Sequence, residues 1–228
     1  MVRLDRVVLL FPLLLLAACG SSPGRPGHEP AAPDAGHTRL HQYVLRYQTG
    51  EERFVEIHGE TAALWGSDRV DMDSVDVAFY RNNLVFLNLI ARAGQARMEA
   101  PDSGRISLKE ISGRLYYGGR FTASSMEISF GEGAWSARDA VRFDREPLSF
   151  RAAAAAGPLS LDRIDAVEPD IRTESASATA AHSTFFPAAR AILLEGRALW
   201  RTDTETRRAG RMKLRLDPAY SRIVPVDR

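Results

Sequence analysis

The fold is decided by residues 70–87, whose sequence is VDMDSVDVAFYRNNLVFL. Val75, Val77 and Phe79 alternate with polar or small residues, which is the period-two pattern of a strand with one buried face. Asn82-Asn83 follow, and asparagine tolerates the positive φ angles of a tight two-residue turn. The apolar run after this turn predicts a returning strand, so the stretch predicts a β-hairpin.

The apolar phase changes within the first strand of this hairpin. Val70 and Met72 occupy even positions, whereas Val75 and Phe79 occupy odd ones. A bulge or bend near Asp73-Ser74 would absorb the change and keep all four side chains on one face.

The same alternation continues along the chain, with turn residues between the apolar sets. These sets are Ile111 to Tyr117, Met126 to Phe130, Leu148 with Phe150, Leu159 with Leu161, and Met212 to Leu216. Short strands at regular spacing predict an all-β, antiparallel fold, which could be a sandwich, a jelly roll or a barrel. Two stretches, Ala152–Ala156 and Pro187–Leu194, are candidates for brief helices.

The first residues have the parts of a bacterial export signal. Arg3 and Arg6 precede or border the apolar stretch 7–16, which is too short to span a bilayer. Leu16-Ala17-Ala18-Cys19 then resembles a bacterial lipobox, in which the cysteine is lipidated and becomes the first residue of the mature protein. An ordinary signal peptide with a chance cysteine is the alternative. We favour lipidation because Cys19 is the only cysteine, and a lone cysteine in an exported protein otherwise invites unwanted pairing.

The chain is therefore predicted to have three segments: a lipoprotein signal peptide at 1–18, a lipidated disordered spacer at 19–38, and a folded β domain at 39–228. The spacer has almost no apolar side chain larger than alanine, so it cannot bury enough surface to offset its chain entropy. The lipid would hold the domain at the periplasmic face of a bacterial membrane, and the sequence leaves the inner and the outer membrane open.

The charge balance and the missing motifs exclude several classes of function. The chain has 30 Lys+Arg and 29 Asp+Glu, and removing Arg3, Asp5 and Arg6 with the signal peptide makes the two signs equal. Such a chain has no long-range field to hold nucleic acid. It also lacks the Gly-x-Ser-x-Gly elbow, the His-Glu-x-x-His motif and the glycine-rich phosphate loop. We predict a protein that is not an enzyme and has no cofactor.

Metal binding has little support. His37 and His41 have helical spacing but lie where the spacer meets the first strand, so solvated side chains are the favoured interpretation. Four aspartates lie close together in the sequence of one predicted hairpin: Asp68, Asp71, Asp73 and Asp76. They lack the glycine and the glutamate of a calcium-binding loop, so we predict solvent-facing carboxylates and no metal site.

The densest basic run lies near the end of the chain: Arg207, Arg208, Arg211, Lys213 and Arg215. Its alternation with Met212 and Leu214 predicts the exposed face of one strand, where cations discourage edge aggregation. The alternative is that Arg211, Lys213 and Arg215 contact lipid phosphates.

A weak internal repeat points to a known family. Ile111-Ser112-Gly113-Arg114-Leu115 is echoed by Leu194-Glu195-Gly196-Arg197-Ala198, and a glycine within a strand often marks a bulge or a close backbone approach. These steps resemble the leucine-x-glycine-x-valine step of the OstA-like family, the periplasmic bridge proteins of lipopolysaccharide export. The resemblance extends over residues 40–223 and is strongest to the family's inner-membrane-attached C component.

This resemblance implies a twisted antiparallel β-jelly roll whose two sheets hold acyl chains in an apolar groove. The groove residues that it implies are Val77, Phe79, Leu115, Ile128, Phe150 and Leu214. The implied partners are lipopolysaccharide or a related lipid, other jelly-roll bridge proteins joined edge to edge, and a membrane ABC transporter complex. The chain departs from the C component in one respect, because that component is typically held by an uncleaved transmembrane helix.

The apolar alternation does not distinguish an open groove from a closed sandwich, because both require the same pattern. The alternative function is therefore a structural or adaptor lipoprotein of the envelope, whose closed β-sandwich binds a protein partner.

Overall fold

The computed structural model describes residues 37–49, 52–65, 69–97, 104–115 and 118–226. The predicted signal peptide, Cys19, the spacer up to residue 36 and Asp68 lie outside these ranges. The described residues form fifteen strands and no helix. The strands are β1 His37–Thr49, β2 Glu52–Trp65, β3 Arg69–Arg81, β4 Leu84–Arg97, β5 Arg105–Leu115, β6 Arg120–Ser129, β7 Ala134–Arg145, β8 Leu148–Pro158, β9 Ile164–Val167, β10 Asp170–Arg172, β11 Ser177–Thr179, β12 His182–Phe186, β13 Ala191–Arg201, β14 Thr206–Leu216 and β15 Ile223–Pro225.

The strands form one antiparallel sheet that follows the chain order closely. Strands β1 to β8 pair consecutively. Strand β8 then pairs with β9 through Ala154 opposite Val167, and with β10 through Arg151 opposite Asp170. Both pairings share one register, so β9 and β10 together occupy the place of a single long strand. Strands β11 and β12 share the next place in the same way, and β13, β14 and β15 complete the sheet.

An exposed residue with positive φ lies near the middle of every second strand, if β9 with β10 and β11 with β12 are each counted as one strand. These residues are Gln42, Ser74, Glu110, Asp139, Glu168 and Arg197. Positive φ is uncommon for residues other than glycine and redirects the chain. The pairing register places these residues in one line across the sheet, and we call this line the crease.

The crease keeps the apolar side chains of each strand on one face. In β3, Met72 and Val75 on either side of Asp73-Ser74 are both buried, whereas Asp73 and Ser74 are exposed. The change of phase predicted at this position is therefore confirmed.

The crease divides the sheet into two layers that pack face to face. Layer 1 contains β9, β12 and β15, layer 2 contains β10 and β11, and each long strand contributes one half to each layer. The inner faces of both layers are buried. Trp200 on layer 2 donates a buried hydrogen bond from Nε1 to the carbonyl oxygen of Ile223 on layer 1, at 3.1 Å. The all-β, antiparallel, jelly-roll-like fold predicted from the sequence is confirmed.

The core consists of two apolar clusters arranged along the sheet. The first extends from Val55 to Ala166, and the second contains residues between Leu148 and Ile223. Phe150 packs against both clusters, so the apolar interior is continuous along the domain.

Two local predictions have clear outcomes. The hairpin turn is confirmed, since Asn82 and Asn83 have φ angles of 51° and 59° between β3 and β4. The two brief helices are wrong: Ala152–Ala156 lies within β8, and the stretch 187–194 is a turn followed by the start of β13. Strand pairing on both sides of β8 outweighs the helix propensity of alanine, which is a weak local preference.

The folded part also begins slightly earlier than predicted. Strand β1 starts at His37, so His37 and Thr38, which the sequence placed in the spacer, pair with Trp65 and Leu64 of β2.

Candidate lipid-binding interior and strand edges

The six predicted groove residues are placed between the layers, where the protein's own side chains fill the space. Val77, Phe79, Ile128 and Leu214 have 0% exposure, and Leu115 and Phe150 are half-buried. The first three belong to the first cluster and Leu214 belongs to the second. Four of the six positions are therefore closed off from solvent, whereas Leu115 and Phe150 are closed off only in part.

The interior is less tightly closed at the β1 edge of the sheet. Among the described strands, β1 pairs with β2 alone. Leu40, Tyr43 and Leu45 pack against the first cluster but are only half-buried, whereas Ile57, which lies opposite Leu45, has 0% exposure. The burial of inward-facing side chains therefore increases from β1 to the neighbouring strand β2.

Tyr43 has an unusual environment at this edge. Its ring lies over Gly59, where a Cβ atom would come within 2.2 Å of the Tyr43 Oη. The hydroxyl is buried and has no hydrogen-bond partner among the described residues. Burial and, to a smaller extent, the negative charge of Asp73 together raise the pKa of Tyr43 to about 12. The phenol therefore remains a protonated donor, and a buried donor without an acceptor destabilises the protein until a ligand or water supplies one.

The predicted phosphate contacts lie on the outer face of layer 1. Arg211 forms an ion pair with Glu195 Oε1 at 3.2 Å. Lys213 and Arg215 are exposed and have no ion-pair partner in the described part of the chain. Since Met212 and Leu214 between them are buried, the basic side chains point away from the interior. The predicted exposed face of this strand is confirmed.

A cavity of about 630 Å³ with both polar and apolar side chains in its lining lies on the outer face of layer 1 near the β1 edge. Its charged lining includes Arg39, His41, Asp71, Asp73 and Lys109. An alkyl chain in this cavity would take these ionised side chains out of water at a cost, so the cavity is a weaker candidate for the acyl part of a lipid than the interior.

Asp71 in this cavity is already paired within the protein. Arg69 donates hydrogen bonds from Nε at 3.0 Å and from Nη2 at 2.8 Å, and Gln95 donates one at 2.9 Å. The Arg69 hydrogen bonds are the main reason that the pKa of Asp71 lies below its usual range. Within the described ranges, three or more His, Cys, Asp or Glu side chains nowhere come together as metal ligands.

The two glycine steps of the sequence repeat do not occupy equivalent places. Gly113 lies in layer 2, where a Cβ atom would be 2.2 Å from the carbonyl oxygen of Asn88. Gly196 lies at the crease and has a φ of 74°. The structural repeat is instead the crease itself, to which Glu110, Asp139 and Glu168 belong.

Comparisons with known proteins give no family for this chain. The sequence matches no protein-family model, and no curated protein matches it. In the part of the chain that the structure describes, no helix could cross a bilayer. The function is therefore argued from the geometry and from the sequence.

Proposed function

We propose that this protein is a lipid-anchored periplasmic component of lipopolysaccharide transport. The observation that carries the proposal is the continuous apolar interior between two layers of one sheet, which becomes half-exposed at the β1 edge through Leu40, Tyr43 and Leu45. Buried apolar surface is the environment that an acyl chain requires, and about 25 cal/mol is gained per Å² removed from water.

In this proposal the β1 edge is the entrance for acyl chains, because its inward-facing side chains are only half-buried. An alkyl chain that enters beside Leu45 would displace half-buried side chains before it meets the closed centre at Val77 and Phe79. The unpaired hydroxyl of Tyr43 would donate a hydrogen bond to an acceptor on the lipid. The sugars and phosphates would remain outside, as the resemblance to the bridge proteins implies.

The β1 edge would also join the domain to its partners. An edge strand presents a row of unpaired backbone groups that another strand can extend. Pairing of β1 with a second jelly-roll bridge protein would continue the interior from one domain to the next. A membrane ABC transporter complex would supply the energy for directional movement.

The proposed anchor has its own test. Cys19→Ser is expected to abolish labelling of the exported protein by a clickable fatty acid, because it removes the only thiol of the chain. Labelling would be measured on the purified protein by in-gel fluorescence. Labelling that persists in the variant would rule out lipidation at Cys19.

Photocrosslinking in cells tests the cargo. A photoreactive amino acid at Leu45 or Phe150, both inward-facing and half-buried, is expected to capture lipopolysaccharide. Val44 is the matched control, since it adjoins Leu45 on β1 but faces outward with 45% exposure. Adducts would be detected as a mobility shift recognised by an antibody to lipopolysaccharide. The absence of adducts at both inward positions of a folded, exported protein would defeat the proposal.

A second function is favoured by one observation. The 0% exposure of Val77, Phe79, Ile128 and Leu214 leaves these interior positions filled without any lipid. A structural or adaptor lipoprotein of the envelope would need such a closed sandwich, and its β1 edge would bind a protein partner. In the same crosslinking experiment, this function predicts protein adducts at Val44 and no lipid adducts at Leu45 or Phe150.

A further inference from the structure

The outer face of layer 1 near the C-terminus combines unpaired cations with exposed apolar side chains. Phe186 on β12, Arg215 on β14 and Val224 on β15 belong to one row across the strands, with the small Ala191 of β13 between the first two. Lys213 lies in the adjoining row, and its carbonyl oxygen accepts a hydrogen bond from the amide of Val226 at 2.8 Å. We call these residues the C-terminal patch: Phe186, Lys213, Arg215, Val224 and Val226.

The apolar members of the patch are unusually open for a sheet face. Phe186 is 38% exposed, Val224 is 49% exposed and Val226 is 40% exposed. Isolated exposed apolar residues are common, but contiguous apolar patches mark contacts with proteins or membranes. Neighbouring strands lie about 4.8 Å apart, so the row from β12 to β15 extends over about 14 Å. These side chains are close enough to act as one surface.

The patch has an uncompensated positive charge. Lys213 and Arg215 have no ion-pair partner in the described residues. Two acidic side chains on strands of this face already have partners, since Glu195 pairs with Arg211 and Asp165 pairs with Arg163 and accepts a hydrogen bond from Thr184. A partner of negative charge would therefore meet two cations that no carboxylate of the described residues pairs with.

We propose that the C-terminal patch is a docking face for the surface of an anionic phospholipid bilayer. Lysine and arginine beside exposed apolar side chains match such a surface, because the cations bind headgroup phosphates while the apolar groups enter the boundary of the acyl chains. A soluble phosphate would use the cations but leave the exposed apolar side chains in water. The proposal does not depend on the cargo of the interior, since the patch faces away from it.

Depth-dependent quenching tests this docking. The full chain, exported and purified from cells, would carry a fluorescent amino acid at Val224 and be reconstituted with vesicles of phosphatidylcholine, with or without phosphatidylglycerol. Lipids with nitroxide-labelled acyl chains are expected to quench this probe several-fold more strongly in the anionic vesicles. The same probe at Ile90, which is 56% exposed on the outer face of layer 2, is the matched control and should show no such difference.

The charge contribution is tested with Lys213→Gln combined with Arg215→Gln. Both side chains are exposed, so the melting temperature should remain unchanged while the quenching at position 224 in anionic vesicles falls to the level in neutral ones. Replacing chloride by inorganic phosphate at equal ionic strength should leave the quenching intact. Equal quenching at positions 224 and 90, quenching that the double variant retains, or displacement by free phosphate would each overturn the proposal. Loss of a protein complex in cells without any quenching in vesicles would assign the patch to a protein partner instead.

Discussion

Phe79→Ala is expected to lower the free energy of unfolding by about 3–5 kcal/mol. Phe79 has 0% exposure and lies on the inner face of layer 2, with Val55 and Leu87 opposite it on the neighbouring strands. Removing the ring would leave a cavity between the layers that the paired strands on both sides prevent from collapsing. Denaturant unfolding of the full chain, followed by tryptophan fluorescence, would measure the loss.

Ile90→Ala is the matched control for this substitution. Ile90 lies on the neighbouring strand β4 but faces outward with 56% exposure, so its truncation should change the free energy of unfolding by less than about 0.5 kcal/mol. The comparison also bears on function, because a ring that lined an open groove would leave no closed cavity behind. If Phe79→Ala cost no more than Ile90→Ala, the closed interior described above would be contradicted.

Gly113→Ala is expected to destabilise the domain by about 1–3 kcal/mol, because it places extra volume in a packed site. The new Cβ would lie 2.2 Å from the carbonyl oxygen of Asn88 and 2.5 Å from the Leu89 side chain. Since the first of these atoms belongs to the backbone of β4, relief would require the two paired strands to separate. The midpoint of thermal or denaturant unfolding would report the effect.

Gly210→Ala is the matched control for Gly113→Ala, because the same substitution is expected not to destabilise the domain at this position. No heavy atom lies within 4 Å of a Cβ built at Gly210, and its φ is outside the left-handed region. Alanine there would restrict the unfolded chain and should be neutral or stabilise by up to about 1 kcal/mol. Equal losses in the two variants would show that the close approach at Gly113 does not limit packing.

The features that were predicted correctly from the sequence are determined by residues that are close together in the chain. The turn at Asn82-Asn83 follows from the tolerance of asparagine for positive φ, and the bend at Asp73-Ser74 follows from the change of apolar phase within one strand. Both signals are contained in a few consecutive residues. The inward direction of Phe79 and Leu214 follows from the same period-two rule.

The remaining parts of the crease have no comparable signal. Gln42 and Glu110 adopt positive φ although their side chains do not favour it, so the requirement comes from the folding of the whole sheet. The alanines at 152–156 illustrate the same limit, because their strand conformation depends on pairing with β7 and β9.

The candidate sites were predictable only in part for the same reason. Alternation identifies the side chains that face the interior, but whether they fill it depends on the opposite layer. The exposure of Lys213 and Arg215 could be predicted from β14 alone. Their proximity to Phe186 depends on the register of β12, β13 and β14, which the alternation along one strand does not determine.

The crease residues Glu110, Asp139, Glu168 and Arg197 are equally spaced along the chain. The sequence between two successive crease residues adds two strands to the sheet. A gene duplication or deletion of one such interval would therefore keep the alternation of strands with and without a positive-φ residue, whereas a change of one strand would break it. Descendants of this domain would become longer or shorter by whole hairpins, and the capacity of the interior would change in the same discrete steps.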